Sequence, residues 1–175
     1  MESYYGGDRG LLERKESLSL QGYMVYRISP VPGPAGAITQ VEAAMPNPQY
    51  PWWGQILVED VPLVTDPDPS PSSSGSIIAR MYGLDVQVNP NIEAWKIHHT
   101  VVFEDDRYKG STLEVTGLLP LDLSSWSQMA IVGGTGQFTL AQGVLYAKTI
   151  SNDSETQVVD IRITAYYTPL PLHPN

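Results

Sequence analysis

The chain contains no cysteine and few basic residues, and each absence excludes a class of protein. Without cysteine there is no disulfide framework, no thiol nucleophile and no cysteine-based metal site. Ten lysine and arginine residues stand against nineteen aspartate and glutamate residues, which gives a net charge of −9. Nucleic acids and anionic membranes attract clustered positive charge, so neither is an expected partner.

Long apolar runs are also missing. No stretch approaches the length of a transmembrane helix, and the first residues lack the apolar segment of a secretion signal. The sequence therefore predicts a cytoplasmic or nucleocytoplasmic protein. A length of 175 residues suits a single domain with a substantial core.

The most informative feature that is present is a glycine-rich segment, Val132-Gly133-Gly134-Thr135-Gly136-Gln137-Phe138, followed by Ala141-Gln142-Gly143. Glycine tolerates positive φ and close backbone approach, so the segment predicts a tight turn or bulge between two strands. A phosphate-binding loop would need a following Lys-Ser/Thr pair and a helix. Neither follows, which disfavours nucleotide binding.

Most of the remaining chain has the alternation of β-strands, with almost no helical pattern. Alternation is clearest in the last segment, where Val159, Ile161, Ile163 and Ala165 share one face. The predicted strands cover residues 21–28, 77–88, 95–103, 111–118, 128–132, 137–149 and 155–167. Their spacing is typical of a sandwich or a barrel, and closure of a barrel removes exposed sheet edges.

The glycine-rich segment resembles the signature of plant dirigent proteins, in which Gly-Gly-Thr-Gly-Asp/Lys-Phe is followed by Ala-Arg-Gly. Four other segments resemble the family in the same order along the chain. They are Trp53-Gly54 with Val58-Glu59-Asp60, Ile78–Gly83, Trp95 through Val102-Phe103, and Tyr108–Leu113. The resemblance spans roughly residues 20 to 168 and is strongest to the dirigent domain of monocot chimeric lectins, which carry a jacalin-related lectin domain.

The resemblance implies an all-β fold, an eight-stranded antiparallel barrel of the dirigent or allene-oxide-cyclase-like type, assembled as a homotrimer. We accordingly predict a mobile arm over residues 1–18, a barrel domain over 19–168, and a Pro-rich tail over 169–175. The tail is the predicted start of a linker to a downstream lectin domain, because Pro-rich segments act as semi-rigid spacers.

The resemblance also implies a chemistry. Dirigent proteins steer the coupling of two phenoxy radicals, and competent members use paired carboxylates and an arginine to protonate and orient the intermediate. At the matching positions this chain has Gln137 for the acid, Gln142 for the arginine and Arg27 for an aspartate of the first strand. Because glutamine donates no labile proton at neutral pH, these departures disfavour catalysis.

The predicted function is therefore non-catalytic carbohydrate binding within a plant defence or stress lectin, with no cofactor and no metal. Planar hydrogen-bonding groups beside aromatic faces suit a sugar, such as a galactose- or mannose-containing oligosaccharide, at the mouth of the barrel. The predicted ligand contacts are Arg27, Trp53, Asp60, Arg80, Tyr82, Gln137 and Gln142. Adjacent His98 and His99 would face opposite sides of a strand, which disfavours a histidine metal pair.

Two alternatives stay open. One is a dirigent protein that directs the coupling of monolignol radicals made by a separate oxidase. The other is a trimerising scaffold that gives an attached lectin avidity. Coupling predicts an apolar cavity with at least two inward acidic groups, and sugar binding predicts a shallow polar mouth with an exposed ring. The scaffold predicts no cavity of ligand size.

Overall fold

The computed structural model describes residues 16–27, 37–42, 53–67, 76–89, 91, 94–120, 122–152 and 156–168, without the side chains of 25–27, 37–42 and 156. Nine strands and one short 3-10 turn, Gly136–Phe138, occupy these ranges. The strands are β1 (Glu16–Arg27), β2 (Ala37–Glu42), β3 (Gln55–Val64), β4 (Ile77–Gln87), β5 (Ala94–Phe103), β6 (Thr112–Pro120), β7 (Ser127–Thr135), β8 (Gln142–Asn152) and β9 (Thr156–Tyr167).

The sheet closes on itself. Its strand order is β1-β9-β8-β7-β6-β5-β4-β3-β2, all neighbours are antiparallel, and β1 also pairs with β3 through Tyr23↔Val64 and Met24↔Leu63. Eight strands therefore form the ring, which confirms the predicted eight-stranded antiparallel barrel. The additional strand, β2, pairs with Gln55–Asp60 in the first half of β3.

Alternation of side chains separates the interior of the barrel from its outer wall. In β9, Val159, Ile161, Ile163 and Ala165 are each at most 1% exposed, as their shared face predicts, whereas Tyr166 is exposed. Burial of such apolar side chains removes them from water and is the main favourable term in folding. Strand β3 was not predicted from the sequence, because the acidic pair Glu59-Asp60 and Pro62 interrupt its alternation.

One end of the barrel is closed by packed aromatic rings. Phe138 is fully buried, and the centroid of its ring lies 4.9 Å from those of Phe103 and Tyr108 and 5.0 Å from that of Tyr167. Phe138 is the last residue of the 3-10 turn after β7, and the turn places its ring in the core. Gly136, the first residue of the turn, has a φ of 62°. The tight turn predicted from the glycine-rich segment is confirmed.

Two strand starts differ from the sequence interpretation. Residues 137–141 belong to the turn, so β8 begins only at Gln142, because the chain must insert Phe138 before strand geometry resumes. Strand β1 begins at Glu16, which pairs with Tyr167, so residues 16–18 are not part of an arm. Residues 1–15 and 169–175 lie outside the described residues. In the described part, no helix is long and apolar enough to span a membrane.

Phe138→Ala is expected to lower the free energy of unfolding by about 3–5 kcal/mol, because it removes the ring that three other aromatic side chains contact. Urea unfolding followed by circular dichroism measures the change. In the same turn, Leu140 is 70% exposed, so Leu140→Ala is expected to stay within about 0.5 kcal/mol of the parent. Equal losses from the two substitutions would contradict an aromatic core at this end.

Candidate functional site

The opposite end of the barrel contains a cavity of about 190 Å³. It exceeds the roughly 150 Å³ of a dry apolar cavity that binds benzene, so it has room for one substituted aromatic ring. Most of its lining is apolar, and three methionines give part of the wall adaptable shape. The lining residues are Met24, Leu57, Glu59, Met81, Asp85, Trp95, Ile97, His99, Leu119, Pro120, Leu123, Met129, Leu145, Ala147, Gln157, Val159 and Ile161.

Three ionisable side chains converge in this cavity from three neighbouring strands. Nε2 of His99 (β5) lies 2.7 Å from Oδ1 of Asp85 (β4) and 3.6 Å from Oε2 of Glu59 (β3). All three residues are at most 7% exposed. Charged groups are rarely buried without a partner, because the loss of hydration is costly. Two carboxyls beside one imidazole would carry excess negative charge, and a further proton or cation is needed to balance it.

A glycine in the middle strand makes the approach of Glu59 and His99 possible. Gly83 pairs with Glu59 on one side and with His99 on the other, so the three positions form one row across β3, β4 and β5. A Cβ atom at Gly83 would overlap Cδ2 of the His99 ring. The missing side chain leaves the space through which the imidazole reaches toward Glu59.

The environment shifts two of these groups in the same direction. Burial, followed by the negative charge of Asp85, raises the pKa of Glu59 from 4.5 to about 7, although His99 opposes the shift. Burial lowers the pKa of His99, but the hydrogen bond and charge of Asp85, with the charge of Glu59, raise it more, so its net shift is upward. Near neutral pH the Glu59 carboxyl can therefore give or take a proton, as acid–base catalysis requires.

The same three side chains form the cluster that a metal ion would use. One ligating atom from each lies within 4.8 Å of the others. Nε2 of His99 makes a direct 2.7 Å hydrogen bond with Oδ1 of Asp85, and a metal ion would have to displace that bond. The direct bond fits a cluster that shares protons.

Comparison with known proteins places this barrel in a family. The family model described as Dirigent-like protein matches residues 19–166. The chain belongs to the dirigent-like family. Pterocarpan synthase 1 of Glycyrrhiza echinata is 29% identical over 101 residues, which cover 58% of this chain and 52% of that protein. Dirigent protein 11 of Arabidopsis thaliana is 26% identical over 130 residues, which cover 74% of this chain and 65% of that protein.

A solved pterocarpan synthase dirigent protein has the same fold, with a TM-score of 0.73 and 23% identity over 91% of this chain and 90% of its own. The sequence matches are shorter, and the chain spans about half the length of the pterocarpan synthase relatives. The family resemblance and the barrel predicted from sequence are both confirmed. The dirigent relatives thus include proteins named as synthases beside others named only as dirigent proteins.

Three of the predicted ligand contacts lie together, but on the outer wall of this dirigent barrel. Nη2 of Arg80 lies 2.6 Å from Oδ1 of Asp60, and Tyr82, the cross-strand partner of Asp60, is 41% exposed. Their placement at the barrel mouth is corrected, because side chains alternate along a strand and Glu59 and Met81 occupy the inward positions. A role in ligand contact stays a prediction for this outer surface.

The other predicted contacts are spread over both ends. The backbone N–H of Gln137 donates to Oγ of Ser111, and its side-chain amide donates to the carbonyl of Arg107. Both Gln137 and Gln142 thus lie at the closed end, away from the cavity. Trp53 is 49% exposed just before β3, on the cavity side. The side chain of Arg27 lies outside the described residues.

Sequence reasoning missed the cluster itself, although one signal for it was present. Strand parity places Asp85 on the same face as Met81, and His99 on the same face as Ile97 and Val101. An ionisable residue on an inward face is the signal that identifies such positions. Sequence could not show the register of β3 against β4 and β5, which brings these side chains to Glu59. The sequence interpretation had grouped Glu59 with its neighbour Asp60.

Glu59→Gln is expected to make stability less dependent on pH. A carboxyl whose pKa rises on folding stabilises the folded state at low pH, and this contribution is lost as pH rises from 4.5 to about 7. Between about pH 5.5 and pH 8, the parent should lose on the order of 2 kcal/mol relative to the variant. Urea unfolding at both pH values measures this difference. The upward shift of the His99 pKa acts in the same direction, and the part of it that Asp85 causes remains in the variant.

An unchanged pH dependence in the variant would show that Glu59 is already ionised in the folded protein throughout this range. The lower pH is set at about 5.5 because the isoelectric point, near 4.6, makes more acidic solutions prone to precipitation.

Proposed function

We propose that this barrel binds a flat, phenol-derived molecule in its cavity and directs the stereochemistry of its coupling or ring closure. The observation that supports this is an apolar cavity with two carboxyls, those of Glu59 and Asp85, turned into it. That combination is the one expected of a coupling protein and not of a shallow sugar site. The proposal therefore prefers dirigent activity to carbohydrate binding in the cavity.

The lining indicates the class of ligand. Apart from the Glu59–Asp85–His99 cluster, Gln157 is the polar side chain among the lining residues. A sugar carries many hydroxyls and would leave most of them without partners in such a cavity, at a cost in desolvation. A planar ring that carries one or two oxygens needs few polar partners and can pack against Trp95 and the methionines.

Glu59 supplies the chemistry in this proposal. A separate one-electron oxidase forms phenoxy radicals, and the coupling of two such radicals gives a quinone methide, which would bind with its carbonyl oxygen near the protonated Glu59. Transfer of that proton to the oxygen makes the exocyclic carbon more electrophilic, and a hydroxyl group then adds to it from the one face that the cavity leaves open. Glu59 recovers a proton from the attacking hydroxyl, so the step consumes no acid and no oxidant.

The relatives support this assignment without deciding it. Two of them are named pterocarpan synthases and two are named dirigent proteins. In this chain the motif positions for acid and arginine hold Gln137 and Gln142, so another acid must serve. Glu59 is buried, faces the cavity and titrates near neutral pH.

Oxidation of coniferyl alcohol by a separate one-electron oxidase tests the proposal, with the dimer enantiomers separated by chiral chromatography. The parent protein is expected to give an enantiomeric excess, whereas the oxidase alone gives a racemate. Glu59→Gln should reduce the directed yield at least ten-fold, because general acid catalysis typically contributes about 10²–10⁴-fold.

Glu114→Gln makes the same chemical change on the outer face of β6, where Glu114 accepts a hydrogen bond from Thr100. This control should keep the excess. A racemate from the folded parent protein, or an excess that Glu59→Gln leaves intact, would reject the proposal for this substrate class.

Carbohydrate binding is the second candidate function, and the outer wall favours it. The ion pair between Arg80 and Asp60 stands beside the exposed ring of Tyr82. Planar hydrogen-bonding groups next to an aromatic face are the elements that a sugar site needs. Homotrimer assembly and a jacalin-related lectin domain in the same chain stay predictions of the family resemblance. A cytoplasmic location stays a prediction from the sequence.

A glycan array with the parent, Asp60→Ala and Glu59→Gln separates the two candidate functions. Binding at the outer wall should be selective for one glycan class, fall at least ten-fold in Asp60→Ala and persist in Glu59→Gln. No binding to any glycan would remove this second candidate and leave the cavity proposal untouched.

A further inference from the structure

We infer a further activity of the same cavity: the ionised Glu59 carboxylate acts as a general base that removes a proton from an activated carbon of a planar, apolar ligand. The inference rests on the proposed function only in using its cavity and ligand class. The reaction class differs, because a carbon–hydrogen bond breaks and no oxidised intermediate is needed.

The position of Glu59 gives its carboxylate unusual basic strength. In water, hydrogen bonds to solvent stabilise a carboxylate and weaken it as a base. Glu59 instead lies in a mostly apolar cavity and is 7% exposed. A carboxylate with little hydration binds a proton more tightly, and a ligand in the cavity would lie next to it without intervening water.

The neighbouring pair gives the removed proton somewhere to go. Nε2 of His99 lies 2.7 Å from Oδ1 of Asp85 and 3.6 Å from Oε2 of Glu59. Among the described side chains of the cavity, Asp85 and His99 are the titratable groups that face Glu59. A proton taken by Glu59 can therefore pass into the pair or return to a different atom of the same ligand.

A small aromatic carbon acid, 5-nitrobenzisoxazole, is a direct probe because its planar bicyclic ring suits a cavity of about 190 Å³. The base removes the proton at carbon 3, and the electrons of that bond complete the carbon–nitrogen triple bond of a new nitrile. The nitrogen–oxygen bond breaks and its electrons leave on oxygen as a coloured nitrophenolate. The reaction is balanced without oxidant, reductant or metal.

The parent protein is expected to accelerate this elimination at least 100-fold over acetate at equal concentration. The rate should rise with pH and reach half its maximum near pH 7, where Glu59 ionises. Glu59→Gln should abolish the acceleration, and the outer-face control Glu114→Gln should retain it. No acceleration, or acceleration that survives Glu59→Gln, would overturn the inference.

Asp85→Asn provides a second test. If Glu59 had only a structural role, this substitution would not move the midpoint of the pH–rate profile. The charge of Asp85 helps to raise the pKa of Glu59, so its removal should move the midpoint of the pH–rate profile to lower pH. An unmoved midpoint in the folded variant would contradict Glu59 as the base. The parent profile remains decisive even where a variant fails to fold.

The two activities have opposite pH signatures, so their failures are distinguishable. Directed coupling uses protonated Glu59 and should decline as pH rises through about 7, whereas elimination uses ionised Glu59 and should increase. Elimination without an enantiomeric excess would reject the coupling proposal alone. An excess without elimination would reject the general-base inference alone.

Discussion

Closure of the sheet is the constraint on which the rest of this structure depends. The β1–β3 pairing joins the two ends of an antiparallel ladder into a ring of eight strands. A closed ring leaves its strands without open edges and encloses an interior of limited volume. Every inward side chain must then either fill that interior or line a space within it, and this division separates the two ends of the barrel.

The interior is filled with side chains at one end of the barrel and contains a cavity at the other. At one end the glycine-rich turn inserts Phe138 among three other aromatic rings, and the interior is solid. At the other end, the inward side chains surround a cavity of about 190 Å³. Rigid packing on one side of a site holds the strand register, and that register places Glu59, Gly83 and His99 in a row. The function proposed for the open end thus depends on packing at the closed end.

The electrostatic character of the cavity follows from the same geometry. Two carboxyls and one imidazole are held out of water, where an unbalanced negative charge is costly. Burial and the charge of Asp85 raise the pKa of Glu59, and, against the effect of burial, Asp85 raises that of His99, so the cluster keeps its protons to higher pH. The family resemblance implies an acid and an arginine at two motif positions, which in this chain are Gln137 and Gln142 at the closed end. In this member the ionisable groups lie instead on the walls of β3, β4 and β5.

Much of the fold was determined by local sequence. The period-two alternation of β9 and the glycines before Phe138 act through neighbouring residues alone, so strands and turn were predictable without coordinates. Strand β3 was not, because Glu59, Asp60 and Pro62 disrupt its pattern.

The candidate site was decided by tertiary structure. Which of Glu59 and Asp60 turns inward depends on strand register, and the contact between His99 and Glu59 spans 40 residues of sequence. The pairing register of three neighbouring strands, β3, β4 and β5, places these positions in one row, and the missing side chain of Gly83 lets the two groups approach. The family motif drew attention to Gln137 and Gln142, yet the barrel places both away from the cavity. Local pattern thus determined what each segment becomes, and the pairing register between strands decided which side chains meet.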